Sequence, residues 1–146
     1  MLTTPHLLVG AAIGSQFNNA YIVVPAAVAS HFVLDSVPHL MGIVEVHDMD
    51  KKDLAFVAGD VILGVCLIYI FSLLTPNPAM IYLGAFASMV PDFHHTFQAL
   101  FGPHKLKKYT HLHLKFHYKK KMSPFTGMAT QALTIVLSIV FIWFGL

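Results

Sequence analysis

Arginine is absent from this chain. All nine basic residues are lysines, confined to Lys51–Lys52 and to the stretch Lys105–Lys121. That removes bidentate guanidinium recognition of phosphate, and no nucleic-acid partner is expected. Cysteine is almost absent too. The single Cys66 rules out a disulfide framework and, set in an apolar run, reads as a small core or lipid-facing residue. Charge is scarce: Asp, Glu, Lys and Arg make up 11% of the 146 residues, where a soluble domain carries about a quarter. Hydrophobic residues make up 56%, and that balance belongs in a bilayer. Met1-Leu2-Thr3-Thr4-Pro5 has no basic n-region, so a cleaved signal peptide is not expected. A phosphate-cradling glycine loop, a Gly-x-Ser-x-Gly elbow and a Cys-x-x-Cys pair are all missing.

What is present is a series of apolar runs. Thr4-Pro5 supplies an N-cap and a first helical position. The helix that follows, over about residues 5–16, rises only about 18 Å, too little for a hydrocarbon core of about 30 Å. Phe17-Asn18-Asn19 is a turn signal. A second helix is expected from about Ala20 to Val37, ending near Pro38, because the residue before a proline is pushed out of the helical region. Gly42 to Asp53 reads as a loop, residues 53–74 as a span, Thr75-Pro76-Asn77-Pro78 as a turn, and 79–101 as the returning span closed by Gly102-Pro103. A basic segment, 103–122, precedes a final apolar span, 125–146.

The expectation is one all-α domain over residues 1–146, with metal-site helices over about 5–101. It is a multi-pass transmembrane bundle of four to five helices whose first helix is short. The positive-inside rule places both lysine clusters in the cytoplasm, hence the chain in a cell (inner) membrane. Within His111–Lys119, polar and apolar residues alternate as in a strand. With no partner strand evident, an amphipathic segment at the membrane surface is preferred. Lysines there draw anionic lipid with about 1 kcal/mol each, or simply mark an ordinary positive-inside loop.

The most informative stretch is His31-Phe32-Val33-Leu34-Asp35-Ser36-Val37-Pro38-His39. Residues four apart share a helix face, so His31, Asp35 and, if the helix lasts, His39 form one polar stripe. Imidazole, carboxylate and imidazole make a ligand set for zinc or a similar divalent ion. The same stripe also suits a buried His–Asp hydrogen bond joining two helices. Three acids, Asp35, Asp60 and Asp92, lie in apolar spans that hold no lysine. Each costs about 2.5–3.5 kcal/mol on insertion scales, and three together about 10 kcal/mol. The nearby compensating groups are His6, His31, His39, His94 and His95. At about 1.5 Å per residue all of these fall in one layer of the cytoplasmic half. Asp92 and His95 are three apart and share a face, whereas His94 points about 100° away, toward a supporting or proton-donating role. His47, His104, His111, His113 and His117 lie in polar surroundings, with His113 and His117 able to face inward as an i, i+4 pair.

Three motifs together resemble a known family: Thr4-Pro5-His6-Leu7-Leu8-Val9-Gly10, His31-Phe32-Val33-Leu34-Asp35, and Gly84 through Pro91-Asp92-Phe93-His94-His95. They resemble the membrane-bound metal-dependent hydrolases, a family similar to zinc-dependent phospholipase C and the single-strand-specific zinc nucleases. The resemblance covers roughly residues 4–101. It implies metal ligands at His6, His31, Asp35, Asp92 and His95, with Asp60 and His39 as additions. The chain departs from the family pattern at Pro5, where many members carry Thr. Its lysine/histidine segment also replaces a His-Arg…Thr-His-Ser stretch.

The function expected is hydrolysis of a phosphoester such as a lipid headgroup, with two or three divalent ions, zinc foremost. One ion lowers the pKa of a water and a second stabilises the displaced oxygen. Asp92 or Asp60 bridges metals or orients the water, and His94 moves a proton. The alternative is a non-catalytic metal-binding membrane protein or a divalent metal transporter.

Overall fold

The short first helix is the hub of the structure. The computed structural model describes residues 1–39, 50–102, 106–118, 120 and 123–145. Among the described residues there are seven α-helices, one 3-10 turn and no strand. Helix α1 (Thr3–Gln16) is buried over most of its surface, with Thr4, Pro5, His6, Leu7, Leu8, Gly10, Ala11, Ala12 and Gly14 all enclosed. An all-round apolar or small-residue surface suits a helix surrounded by others, and α1 packs against four of them, α2, α3, α4 and α7. At about 21 Å long it is enclosed by the bundle except at its Gln16 end and along Val9 and Ile13.

Small residues bring α1 against α4 (Pro78–Met89) backbone to backbone. A methyl group on Gly10 would overlap the carbonyl oxygen of Gly84, and one on Gly84 would overlap that of Gly10. Close approach through glycine is a common device where apolar helices pack.

Helix α2 (Ala20–Ser36) buries a single stripe, Val23, Ala27, His31, Leu34 and Asp35, spaced three or four apart as a helix face requires. Asn19 caps it, its side chain accepting from the Tyr21 N–H. The helix ends as expected before Pro38, with Val37 extended. His39 is therefore not on the helix; it comes from the segment beyond it.

Helix α3 (Lys51–Ser72) opens on a capping box in which Asp50 and Asp53 exchange side-chain-to-backbone bonds. The two N–H groups holding the exposed Asp50 carboxyl keep it below the usual carboxylate range. Helices α3 and α7 (Pro124–Phe144) are each long and apolar enough to cross a membrane. Leu54, Phe56, Ile62, Val65 and Ile70 on α3, and Leu133, Val136, Phe141 and Trp143 on α7, are all more than half exposed.

One expectation is revised and one left open is settled. The span over 79–101 is not one helix: Val90–Asp92 form a 3-10 turn between α4 and α5 (Phe93–Phe101). Pro91 has no N–H to continue the ladder, which breaks the helix at this point. The alternating stretch near His111 is helical, α6 (Lys107–Phe116). It is held down by the Tyr118 N–H donating to Asp35 O at 2.8 Å, by Tyr109 Oη donating to Pro91 O at 3.2 Å, and by Phe116 packed on Phe32.

Candidate metal centre

Asp35 is the pivot of the site. Its carboxylate is 1% exposed, and four imidazole nitrogens surround it. His6 Nε2 lies 3.3 Å from Oδ1, while His31 Nε2, His113 Nε2 and His117 Nε2 lie 3.1, 3.4 and 3.0 Å from Oδ2. The amino group of Met1 lies 3.0 Å from Oδ1. Asp92 Oδ1 faces the same nitrogens of His31 and His113, each at 3.4 Å. Four elements supply these groups: α1 gives His6, α2 gives His31 and Asp35, the 3-10 turn gives Asp92, and α6 with its end gives His113 and His117.

Backbone carbonyls fix how the rings present themselves. A carbonyl only accepts, so Nδ1 carries the proton where His31 bonds Ser88 O at 2.7 Å, His39 bonds Val37 O at 2.7 Å and His94 bonds Pro91 O at 2.8 Å. Each ring then turns its Nε2 inward. Among the described residues, Nε2 of His6, His31, His39 and His94, together with Asp35 Oδ2, has no hydrogen-bond partner. His31 Nε2 and Asp35 Oδ2 are thus close without sharing a directed hydrogen bond. A buried imidazole nitrogen and carboxylate oxygen this close need a cation between them, either a proton or a metal ion. An Nδ1–H anchored to a carbonyl with Nε2 free is the arrangement typical of metal-binding histidines.

The donor set fits a divalent ion. Bonds of about 2.1 Å place two ligands of one tetrahedral ion roughly 3.4 Å apart, close to the separations of 3.0–3.4 Å between Asp35 Oδ2 and its imidazole neighbours. Three overlapping groups could each hold an ion: His31, Asp35, Asp92 and His113; Asp35, His39 and His117; and Asp92, His94 and His95. Asp35 belongs to two of them, and so does Asp92. Asp92 keeps 27% of its side chain exposed, which makes it the carboxylate on the accessible side.

Of the residues singled out in the sequence, His6, His31, Asp35, His39, Asp92, His94 and His95 are brought into or against this cluster. His94 does not point away from its neighbours. Because the helix is broken at Pro91, it offers a ligand atom alongside Asp92 and His95.

Asp60 is elsewhere. Its carboxylate accepts the Thr3 and Thr4 N–H groups at 2.7 and 3.1 Å, capping α1, and its backbone carbonyl accepts the Thr4 hydroxyl. The partial positive charge of the helix N-terminus answers its negative charge, so it has no need of the metal layer. Depth along a span carries no information on which face a residue presents.

His113 and His117 are candidate ligands whose role the sequence left open. The i, i+4 spacing was the available signal, and His113 is 1% exposed while His111 remains outside. His47, His104, Glu45, Asp48, Lys105, Lys119 and Lys121 lie outside the described residues. No family model, characterised protein or solved structure matches the chain.

Proposed function

We propose that this chain is a membrane-embedded, metal-dependent hydrolase acting on a phosphoester, with lipid headgroups as the substrate class. One observation carries the reading: imidazoles of His31, His39 and His94, each with Nδ1 on a backbone carbonyl and a buried, unpartnered Nε2, are grouped with two carboxylates. When bound, divalent ions, zinc being the natural match to this ligand set, activate a water and stabilise the oxygen displaced from phosphorus.

The chain's own groups divide the remaining work. Asp35, sealed from solvent, holds four imidazoles in register. The carbonyls of Val37, Ser88 and Pro91 set the ring orientations, so that little reorganisation is needed during reaction. Asp92, on the open side, takes the proton of the attacking water. His94, whose Nδ1–H is given to Pro91 O, uses Nε2 to take that proton from Asp92 and pass it to the leaving oxygen, and in this role it is not a metal ligand.

In this reading α3 and α7 cross the bilayer of a cell (inner) membrane and the lysine-bearing ends face the cytoplasm. Helix α6 then lies along the headgroups with Lys107, Lys108 and Lys115 exposed to anionic lipid.

The test is to purify the chain in detergent and measure bound metal per protein, with Asp35→Ala and Asp92→Ala as controls. Phosphodiester and phospholipid hydrolysis are then screened. Metal with turnover supports the proposal. Metal without turnover favours a non-catalytic metal-binding protein or a transporter, and neither metal nor turnover overturns it.

A further inference from the structure

A cavity of about 590 Å³ lies between α1 and α7, closed at one corner by Leu34 of α2. Its walls are hydrocarbon: Val9, Ala12 and Ile13 from α1, Leu137 and Phe141 from α7, and Leu34. Three of the polar residues that line it have their donors committed to backbone. Ser138 Oγ donates to Thr134 O at 2.8 Å, Thr134 Oγ1 to Thr130 O at 2.9 Å, and Gln16 Nε2 to Phe141 O at 2.7 Å. The pocket therefore offers a polar ligand little to bind. Phe17, Leu137 and Phe141 at the rim are between 45% and 59% exposed, so it opens sideways, on the flank α7 would present to lipid.

Its position ties it to the His/Asp cluster. On α1, Val9 follows His6 by three residues, and on α2, Leu34 follows His31 by three, so each helix turns neighbouring parts of one face to the cluster and then to the cavity. On α7, Thr130 donates its hydroxyl to Pro38 O, beside His39, and Thr134 in the cavity wall is one turn further along. From His6, the wall runs from about 5 Å at Val9 to about 15 Å at Gln16 by helical rise. A hydrophobic slot that begins one turn below the His/Asp cluster and opens toward acyl chains matches one kind of molecule.

We propose that this cavity holds an acyl chain of a phosphoester lipid whose headgroup lies at the His/Asp cluster. The inference rests on the hydrolase reading for the headgroup, and on the apolar walls alone for the chain. It makes the substrate a membrane phospholipid rather than a soluble phosphodiester. It also makes Ala12 and Ser138 specificity-determining positions, since a large side chain at either fills the slot.

The test uses the full chain reconstituted in phosphatidylglycerol/phosphatidylethanolamine vesicles containing a trace of phospholipid with a photoreactive diazirine in its acyl chain. Cross-linked residues are mapped by mass spectrometry, and bound metal is measured on the same sample. Labelling of Ile13, Leu137 and Phe141 should exceed that of the on average more exposed α3 residues Ile62 and Val65 by roughly tenfold, the ratio that 1.4 kcal/mol of preference gives. Ala12→Trp and Ser138→Phe should each abolish the excess while leaving metal content unchanged; either variant keeping the excess overturns the proposal. Equal labelling of α3 and α7 also overturns it, showing only annular lipid, as do cross-links joining two copies through Leu137 and Phe141. If metal is present and labelling is uniform, the acyl site fails and the hydrolase reading stands. If the cavity is labelled but metal is absent, the slot is a lipid site and the hydrolase reading fails.

Discussion

Replacing Asp60 separates two explanations of a buried acid. As a metal ligand it would be needed for ion binding and of modest importance to the fold; as the cap of α1 the order reverses. The Asp60 carboxylate accepts two N–H groups, from Thr3 and Thr4, and Thr4 is fully buried. A hydrogen bond to a charged group is worth about 1.5–3 kcal/mol, and the favourable interaction with the α1 dipole adds about 0.3–1 kcal/mol. Asp60 is half-buried, which favours the lower ends of both ranges, so Asp60→Ala should cost about 3 kcal/mol. Asp60→Asn keeps an acceptor without the charge and should cost about 1 kcal/mol, as for an ordinary cap. Thermal unfolding in detergent, followed by circular dichroism, gives both numbers. Metal per chain in Asp60→Asn should equal that of the wild type. Unchanged stability with loss of metal in Asp60→Asn would refute the capping assignment and return Asp60 to the ligand set.

Other expectations follow from the same geometry. His113→Ala and His117→Ala should each weaken metal binding by at least the roughly 10–100-fold that loss of a supporting partner costs, whereas His111→Ala, on the exposed side of α6, should leave it unchanged; isothermal titration with zinc reads all three. Pro91→Ala should let α4 run on toward α5 and turn Asp92 out of the cluster, lowering metal affinity with little change in melting temperature. Gly84→Ala puts a methyl group into the Gly10 carbonyl and should cost about 1–3 kcal/mol, as other overpacking substitutions do, seen as a lower melting temperature with metal stoichiometry retained.

Much of the site was legible because the metal layer was written twice in the sequence, once as helix spacing and once as depth. His31 and Asp35 are four apart on a helix, and four apart they stayed. His6 and His31 stand about equally far from the turn at Phe17–Asn19, and their rings stack with centroids 4.1 Å apart. What depth could not give was rotation about the helix axis, which is how Asp60 came to be grouped with residues it does not meet. Alternation in His111–Lys119 left the conformation of this amphipathic segment open. A period of two over nine residues also places His113 and His117 four apart, and docking against Phe32 and Asp35 selected the helix. Pro91 takes Asp92 off the helix that carries His94 and His95, so helical spacing no longer fixes the angle between Asp92 and either ring. The central position of α1 follows from its small residues, Gly10, Ala11, Ala12 and Gly14, which permit close neighbours on all sides but do not name them.

The most direct test of the central claim is metal content of the purified chain, by inductively coupled plasma mass spectrometry, beside histidine-ring nitrogen shifts from NMR. The expected result is stoichiometric divalent metal in the wild type, its loss in Asp35→Asn, and neutral rings for His31, His39 and His94 with Nδ1 protonated. A metal-free wild type in which those three rings are imidazolium at neutral pH would contradict it, because protons would then be balancing Asp35 and Asp92.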